Sequence, residues 1–219
     1  MESLKNITQL LHLVLPQSQP PAPEPITVTL VAISDETPLA DFAVALTEAF
    51  AKLGSTKRIH LPLFRQSQTC SFAARDDQQW IDLQSRGRRF VVYQTHPQAQ
   101  AWTELGVQRA NVVLLVGRLG ANPAPGRVER LLQHLLAEQP ETRVELVLLS
   151  DGETTGLESA SGPWLTARKV MAHHCINLKR HQNFDRLAHS LSQRDSAAPP
   201  SASGGNWNWA TDSLARVYA

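Results

Sequence analysis

The sequence predicts an α/β fold, a Rossmann-like three-layer sandwich on a mostly parallel sheet. Three observations carry this. Several short runs are apolar at consecutive positions, as in Val112-Val113-Leu114-Leu115-Val116, the pattern of strands covered on both faces. Segments with apolar residues at helical spacing separate those runs. Right-handed crossovers between such units then place helices on both sides of one sheet.

Each element follows in order. Val28–Ile33 is rich in β-branched residues and has the length of a buried strand. Thr37 is expected to cap a helix with Pro38 at its first position. Leu39, Phe42, Ala43, Leu46, Ala49, Phe50 and Leu53 supply its apolar face, and Gly54 ends it. Arg58–Leu61 is a short second strand, followed by a weak segment at 76–85. Phe90–Tyr93 is a third strand and 99–109 a helix. Asn111–Val116 is a fourth strand, 125–138 a helix and Val144–Leu149 a fifth strand. Pro163–Met171 is read as helical, His174–Leu178 as the last strand and 181–193 as a closing helix. The Rossmann-like domain therefore occupies 26–193.

The flanks differ in character. Leu4, Ile7, Leu10, Leu11 and Val14 have helical spacing, so 1–15 is expected to carry one short amphipathic helix. His12 interrupts its apolar run, so it does not read as an export signal. Five prolines between Pro16 and Pro25 make 16–25 a stiff linker. The Ser/Ala/Pro/Gly-rich stretch opening 194–219 reads as a flexible tail, with Trp207 and Trp209 inside it.

Composition excludes several classes. With 21 Lys plus Arg against 20 Asp plus Glu, the chain has no global field for nucleic acid. Two cysteines, Cys70 and Cys175, make no disulfide scaffold, and a reducing cytoplasm is the expected location, with membrane association as the alternative. The apolar runs fall far short of the about 20 residues of a membrane helix.

Ligands of open parallel sheets bind beyond the strand C-termini. The first such loop, Ser34-Asp35-Glu36-Thr37-Pro38, has neither glycine nor lysine and carries two acids. It would repel phosphate, and Asp35 and Glu36 read as complements to the helix N-terminus. Gly117, Arg118 and Gly120 follow the fourth apolar run and form the one weak anion-site candidate, although glycines there are also ordinary turn chemistry. Gly152-Glu153-Thr154-Thr155-Gly156 superficially has a nucleophile-elbow spacing, but more Gly, Ser and Ala follow before a helix can start, so it reads as a loop. His173 and His174 should point to opposite faces of a strand, and His173 with Cys175 lacks further ligands, so no metal site is expected. Arg86, Arg88 and Arg89, and Arg168, Lys169, Lys179 and Arg180, read as solvated basic clusters, with an acidic partner or lipid headgroups as the other reading. No catalytic residue and no cofactor is assigned.

Several segments together resemble a known family. Arg89-Phe90-Val91-Val92-Tyr93-Gln94-Thr95, Ala101-Trp102-Thr103 and Gln108-Arg109-Ala110-Asn111 lead into Val113-Leu114-Leu115-Val116-Gly117. Val147-Leu148-Leu149-Ser150, Trp164-Leu165 with Arg168, His173-His174 and Phe184-Asp185-Arg186-Leu187-Ala188 follow in order. Residues 27–193 thus resemble the region preceding the catalytic domain of neuropathy target esterase-type patatin-like phospholipases. Asn111 departs from the acid expected there in many relatives. The strand–helix unit 28–53 also resembles the opening of MinD/ParA-type ATPases without their phosphate-binding residues. The resemblance implies a degenerate P-loop-type topology lacking the phosphate loop.

In that family the hydrolase needs a glycine-rich oxyanion loop and a Gly-x-Ser-x-Gly serine, and the sequence contains no Gly-x-Ser-x-Gly. The family's catalytic residues therefore carry over to no position. The expected function is a non-catalytic accessory or regulatory domain, stand-alone or truncated, whose partner is a protein such as the patatin-type hydrolase domain. The rival readings are a cryptic lipid or ester hydrolase using Ser or Thr in 150–162, a degenerate nucleotide-binding protein, and a lipid-surface adaptor making a peripheral membrane contact through the N-terminal helix and tail tryptophans.

Overall fold

A computed structural model describes residues 24–63, 65, 77–97, 99–152 and 157–193. The anticipated N-terminal helix, most of the proline linker, Glu153-Thr154-Thr155-Gly156 and the tail lie outside the described residues. Six strands, β1 (Ile26–Ala32), β2 (Thr56–His60), β3 (Phe90–Gln94), β4 (Val112–Arg118), β5 (Arg143–Ser150) and β6 (Ala172–Asn177), form one sheet. Six helices with described bounds join or follow them: α1 (Leu39–Ala51), α2 (Asp77–Ser85), α3 (Gln100–Gln108), α4 (Arg127–Ala137), α5 (Leu157–Thr166) and α6 (His181–Ser192). The strand order is β2-β3-β1-β4-β5-β6 and every pairing is parallel. In the dinucleotide-binding order, 3-2-1-4-5-6, the second strand flanks the first; here β3 takes that place.

The order explains the layers. The β1–β2 connection crosses the sheet in one direction and every later connection runs in the other, so crossovers of one hand leave α1 as the one crossover helix on its face, where the terminal α6 joins it. The cores agree. Ile26, Val28 and Leu30 of β1 pack with Phe42, Leu46 and Phe50 of α1 and Phe184, Leu187 and Leu191 of α6. On the opposite face Val31, Val113, Leu115, Leu146 and Leu148 pack under Leu132 and Leu136 of α4 and Trp164. Ile59, Val91 and Tyr93 pack under Trp80 and Ile81 of α2 and Trp102 of α3. Alternate residues of β1 and β4 thus enter opposite cores, which is why both strands are largely apolar, with Thr27 and Thr29 of β1 and Arg118 at the end of β4 the polar positions.

Three local expectations are corrected. Thr37 does not cap α1: its hydroxyl donates to the Ser34 carbonyl at 2.8 Å, and the helix starts at Leu39 after Pro38. The helix before β6 begins at Leu157, so Pro163 lies inside it and Arg168 to Met171 lie beyond it. Gly117 and Arg118 are the last residues of β4, not a loop after it. Among the described residues no helix is long and apolar enough to cross a membrane.

Candidate functional site

The β1 loop leads to one face and the β3 and β4 loops lead to the other, so the crevice of this sheet opens beside the C-terminal end of β1. The sequence closes it locally. Ile33 donates its amide to the Val116 carbonyl at 2.9 Å, extending β1 along β4. Ser34 Oγ then accepts the Arg118 amide at 3.0 Å and exchanges a hydrogen bond with Thr37 Oγ1 at 2.7 Å. The hydroxyls thus tie the loop to β4 where a glycine-rich cradle would leave amides facing a ligand.

Arg118 occupies the mouth. One arm of its guanidinium pairs with Glu36 at 3.4 Å and the other with Asp151 just beyond β5. The anion-site candidate is therefore an arginine held by two carboxylates from neighbouring loops. Gly117 serves packing: a Cβ there would stand 2.9 Å from the Trp164 ring. Gly120 has φ 93, a turn requirement, with open space around its Cα. Glu36, read from the sequence as a complement to the helix N-terminus, has Arg118 as its ion partner here. At the end of β6, Asn177 Nδ2 donates to the Gly152 carbonyl at 3.0 Å and its Oδ1 accepts the Lys179 amide at 2.9 Å, fixing the loop that carries Asp151.

Sequence reasoning missed two buried charge clusters. Arg168, expected among solvated cations, has a fully buried side chain. Its Nε and Nη2 grip both oxygens of Glu129, the second at 3.0 Å, and Nη1 donates to the Pro123 carbonyl at 2.7 Å. The guanidinium also lies 4.7 Å from the Trp164 ring centroid. Glu129 Oε2 accepts the Gly126 amide at 2.7 Å, so one carboxylate both starts α4 and neutralises Arg168. No signal in the sequence joins residues 39 apart on different helices and loops.

In the second cluster, Glu145 is buried between Arg143 and His174, whose Nε2 lies 2.8 Å from Oε2. Burial pushes the Glu145 carboxyl up, but the His174 hydrogen bond and the Arg143 charge more than offset it, leaving it below the usual range. His173 faces the opposite side of β6 with Nδ1 buried and unpartnered, and burial, then the neighbouring His174, holds its pKa below the ordinary value. The two histidines thus diverge as the strand alternation predicts. Burial raises the Cys175 thiol above its usual value. Among the described residues no three His, Cys, Asp or Glu side chains are grouped to hold a metal.

Fold and edge together define a class: a P-loop-like α/β domain whose first loop lacks the phosphate cradle. The family model for the Neuropathy Target Esterase family P-loop like domain matches residues 25–199, and the chain belongs to that family. It is similar to Neuropathy target esterase sws of Drosophila sechellia and of Drosophila erecta, 29% identical over 160 residues in each. The protein of that name in Drosophila melanogaster is 28% identical over the same length. The match covers 70% of this chain but 11% of each of these relatives.

Proposed function

We propose that this domain is a non-catalytic accessory module that works by docking on a protein partner, the patatin-type hydrolase domain in the first instance, and not by binding nucleotide. The observation that carries this is the Arg118–Glu36–Asp151 cluster over the C-terminal end of β1. Two carboxylates stand where a polyphosphate would need amides and a lysine, and like charge repels it. The absence of any Gly-x-Ser-x-Gly serine supports a role outside hydrolysis.

Isothermal calorimetry with ATP and GTP tests the first half: no heat of binding is expected at millimolar nucleotide. Micromolar affinity abolished by substitutions within 34–38 would overturn the proposal. Co-elution of the purified chain with a purified family hydrolase domain on size exclusion tests the second half, and separate elution at tens of micromolar removes docking. Turnover of a lysophospholipid by the chain alone, lost on Thr154→Ala, would replace the accessory role with an enzymatic one.

A further inference from the structure

The corner where α2 meets β3 carries charge that no described group answers. Arg86 continues α2 by donating its amide to the Asp82 carbonyl at 3.0 Å. Gly87, at φ 70, reverses the chain, and the Arg88 amide returns to the Ser85 carbonyl at 3.1 Å. Ser55, just before β2, clamps this turn: its hydroxyl donates to the Gly87 carbonyl at 3.2 Å and its carbonyl accepts the Arg89 amide at 2.9 Å. Three exposed arginines are thus presented on a fixed turn.

Lys57 adds a fourth cation. It shares its side of β2 with Ile59, which packs in the α2 core, so it faces the α2 side of the sheet. Arg89 turns to the other face of the sheet, donating to the Leu53 carbonyl at 2.8 Å and lying 5.2 Å from the ring of Phe90, which packs in the α1 core, so it stands apart from the α2-side cations. Asp82 on α2 is turned to Arg109 at 3.0 Å. Among the described residues no carboxylate pairs with Lys57, Arg86, Arg88 or Arg89. The whole chain carries a net charge of only +1, so the corner is a local concentration and not part of a general basic excess.

Leu83 stands beside these cations. It is 46% exposed, the most exposed large hydrophobic side chain among the described residues, and lies three residues before Arg86 on the same side of α2. We infer that the α2–β3 corner is a contact surface for an anionic lipid bilayer, with Lys57, Arg86 and Arg88 on the headgroups and Leu83 at the acyl boundary. An acidic polypeptide would answer the charge but leave Leu83 in water, whereas an anionic bilayer answers both. The inference is independent of the docking proposal, which concerns the other end of the sheet.

Vesicle sedimentation of the full chain tests it, with phosphatidylcholine vesicles containing or lacking 30 mol% phosphatidylserine. Binding is expected to the phosphatidylserine vesicles only, and to disappear as salt is raised toward 0.5 M. The Arg86→Gln/Arg88→Gln variant, both exposed positions, should lose roughly 30-fold in partitioning, and Leu83→Ala several-fold. Arg127→Gln/Arg130→Gln, equal in charge change and exposed on α4, should bind as the parent does. Unchanged partitioning of the Arg86/Arg88 variant, or equal binding to neutral vesicles, would overturn the inference. So would binding to poly-glutamate without binding to anionic vesicles, which would assign the corner to an acidic protein.

Discussion

At single positions, the glycines and buried charges set the sharpest constraints. A Cβ on Gly106 would stand 2.3 Å from two carbons of the Tyr93 ring. That ring cannot step aside, because it stacks on Trp102 at 4.7 Å and its hydroxyl donates to the Trp102 carbonyl at 3.0 Å. Alanine gains about 1 kcal/mol of helix propensity over glycine, but overpacking costs about 1–3 kcal/mol. Gly106→Ala should therefore lower stability, by up to about 2 kcal/mol, read from urea denaturation. Arg168 sets a larger stake. Its truncation leaves Glu129 charged and buried, so Arg168→Ala should cost about 3–5 kcal/mol. Arg168→Lys should rescue little, since a lysine cannot span both Glu129 oxygens and the Pro123 carbonyl. The Arg118 pairs are a contrast: Glu36 and Asp151 are largely exposed, so Asp151→Asn should change the unfolding free energy from urea denaturation by less than about 1 kcal/mol.

Whole elements were legible where they are buried on both faces and obscure where long-range contacts decide their ends. The runs at β1, β4 and β5 announce themselves because all but their end residues are buried and most of those enter a core. The start of α5 was not visible, because Gly162 and Pro163 look like a helix start although they lie inside one. The acidic first loop marked the site's lack of a phosphate cradle, yet the Arg118 bridge could not be read, since Glu36, Arg118 and Asp151 meet only once β1, β4 and β5 are adjacent. Asn111 shows the same limit. Its Oδ1 accepts the Thr27 amide at 2.7 Å, an acceptor role that an acid would fill equally well. The β5–β6 pair also carries the pH dependence. Glu145 has a lowered folded pKa, so its stabilisation is present above the unfolded value of about 4.3 and is lost as pH falls through the folded value. Glu145→Gln should be less stable at neutral pH and should flatten the acid limb below about pH 4. His173 acts higher. Its folded pKa also lies below the unfolded one, so the unfolded chain takes up the proton first and stability drops as pH falls through about 6.5. Urea midpoints of His173→Leu should equal or exceed those of the parent, by a margin that widens from pH 7 to pH 5.

For the whole molecule, the strand order makes the C-terminal helix indispensable. Because α1 alone crosses on its face, half of that face would be bare without another element, and α6 returns from the sheet edge to cover it. Phe184 meets Phe42 at 5.6 Å, Leu187, Ala188 and Leu191 are buried against the same core, and Lys52 at the end of α1 pairs with Asp185 at 2.7 Å. The exposed ion pair adds little; the apolar contact carries the layer. Phe184→Ala should cost about 3–5 kcal/mol, and its effect should be non-additive with Phe42→Ala, since the two rings share one contact. Ending the chain after Arg180 removes the layer outright, and the product should lose cooperative thermal unfolding and bind an apolar dye such as ANS. A chain ending at Arg180 that melted as sharply as the parent would show that α1 suffices to seal its face, and the reading of α1 and α6 as one cooperative layer would fail.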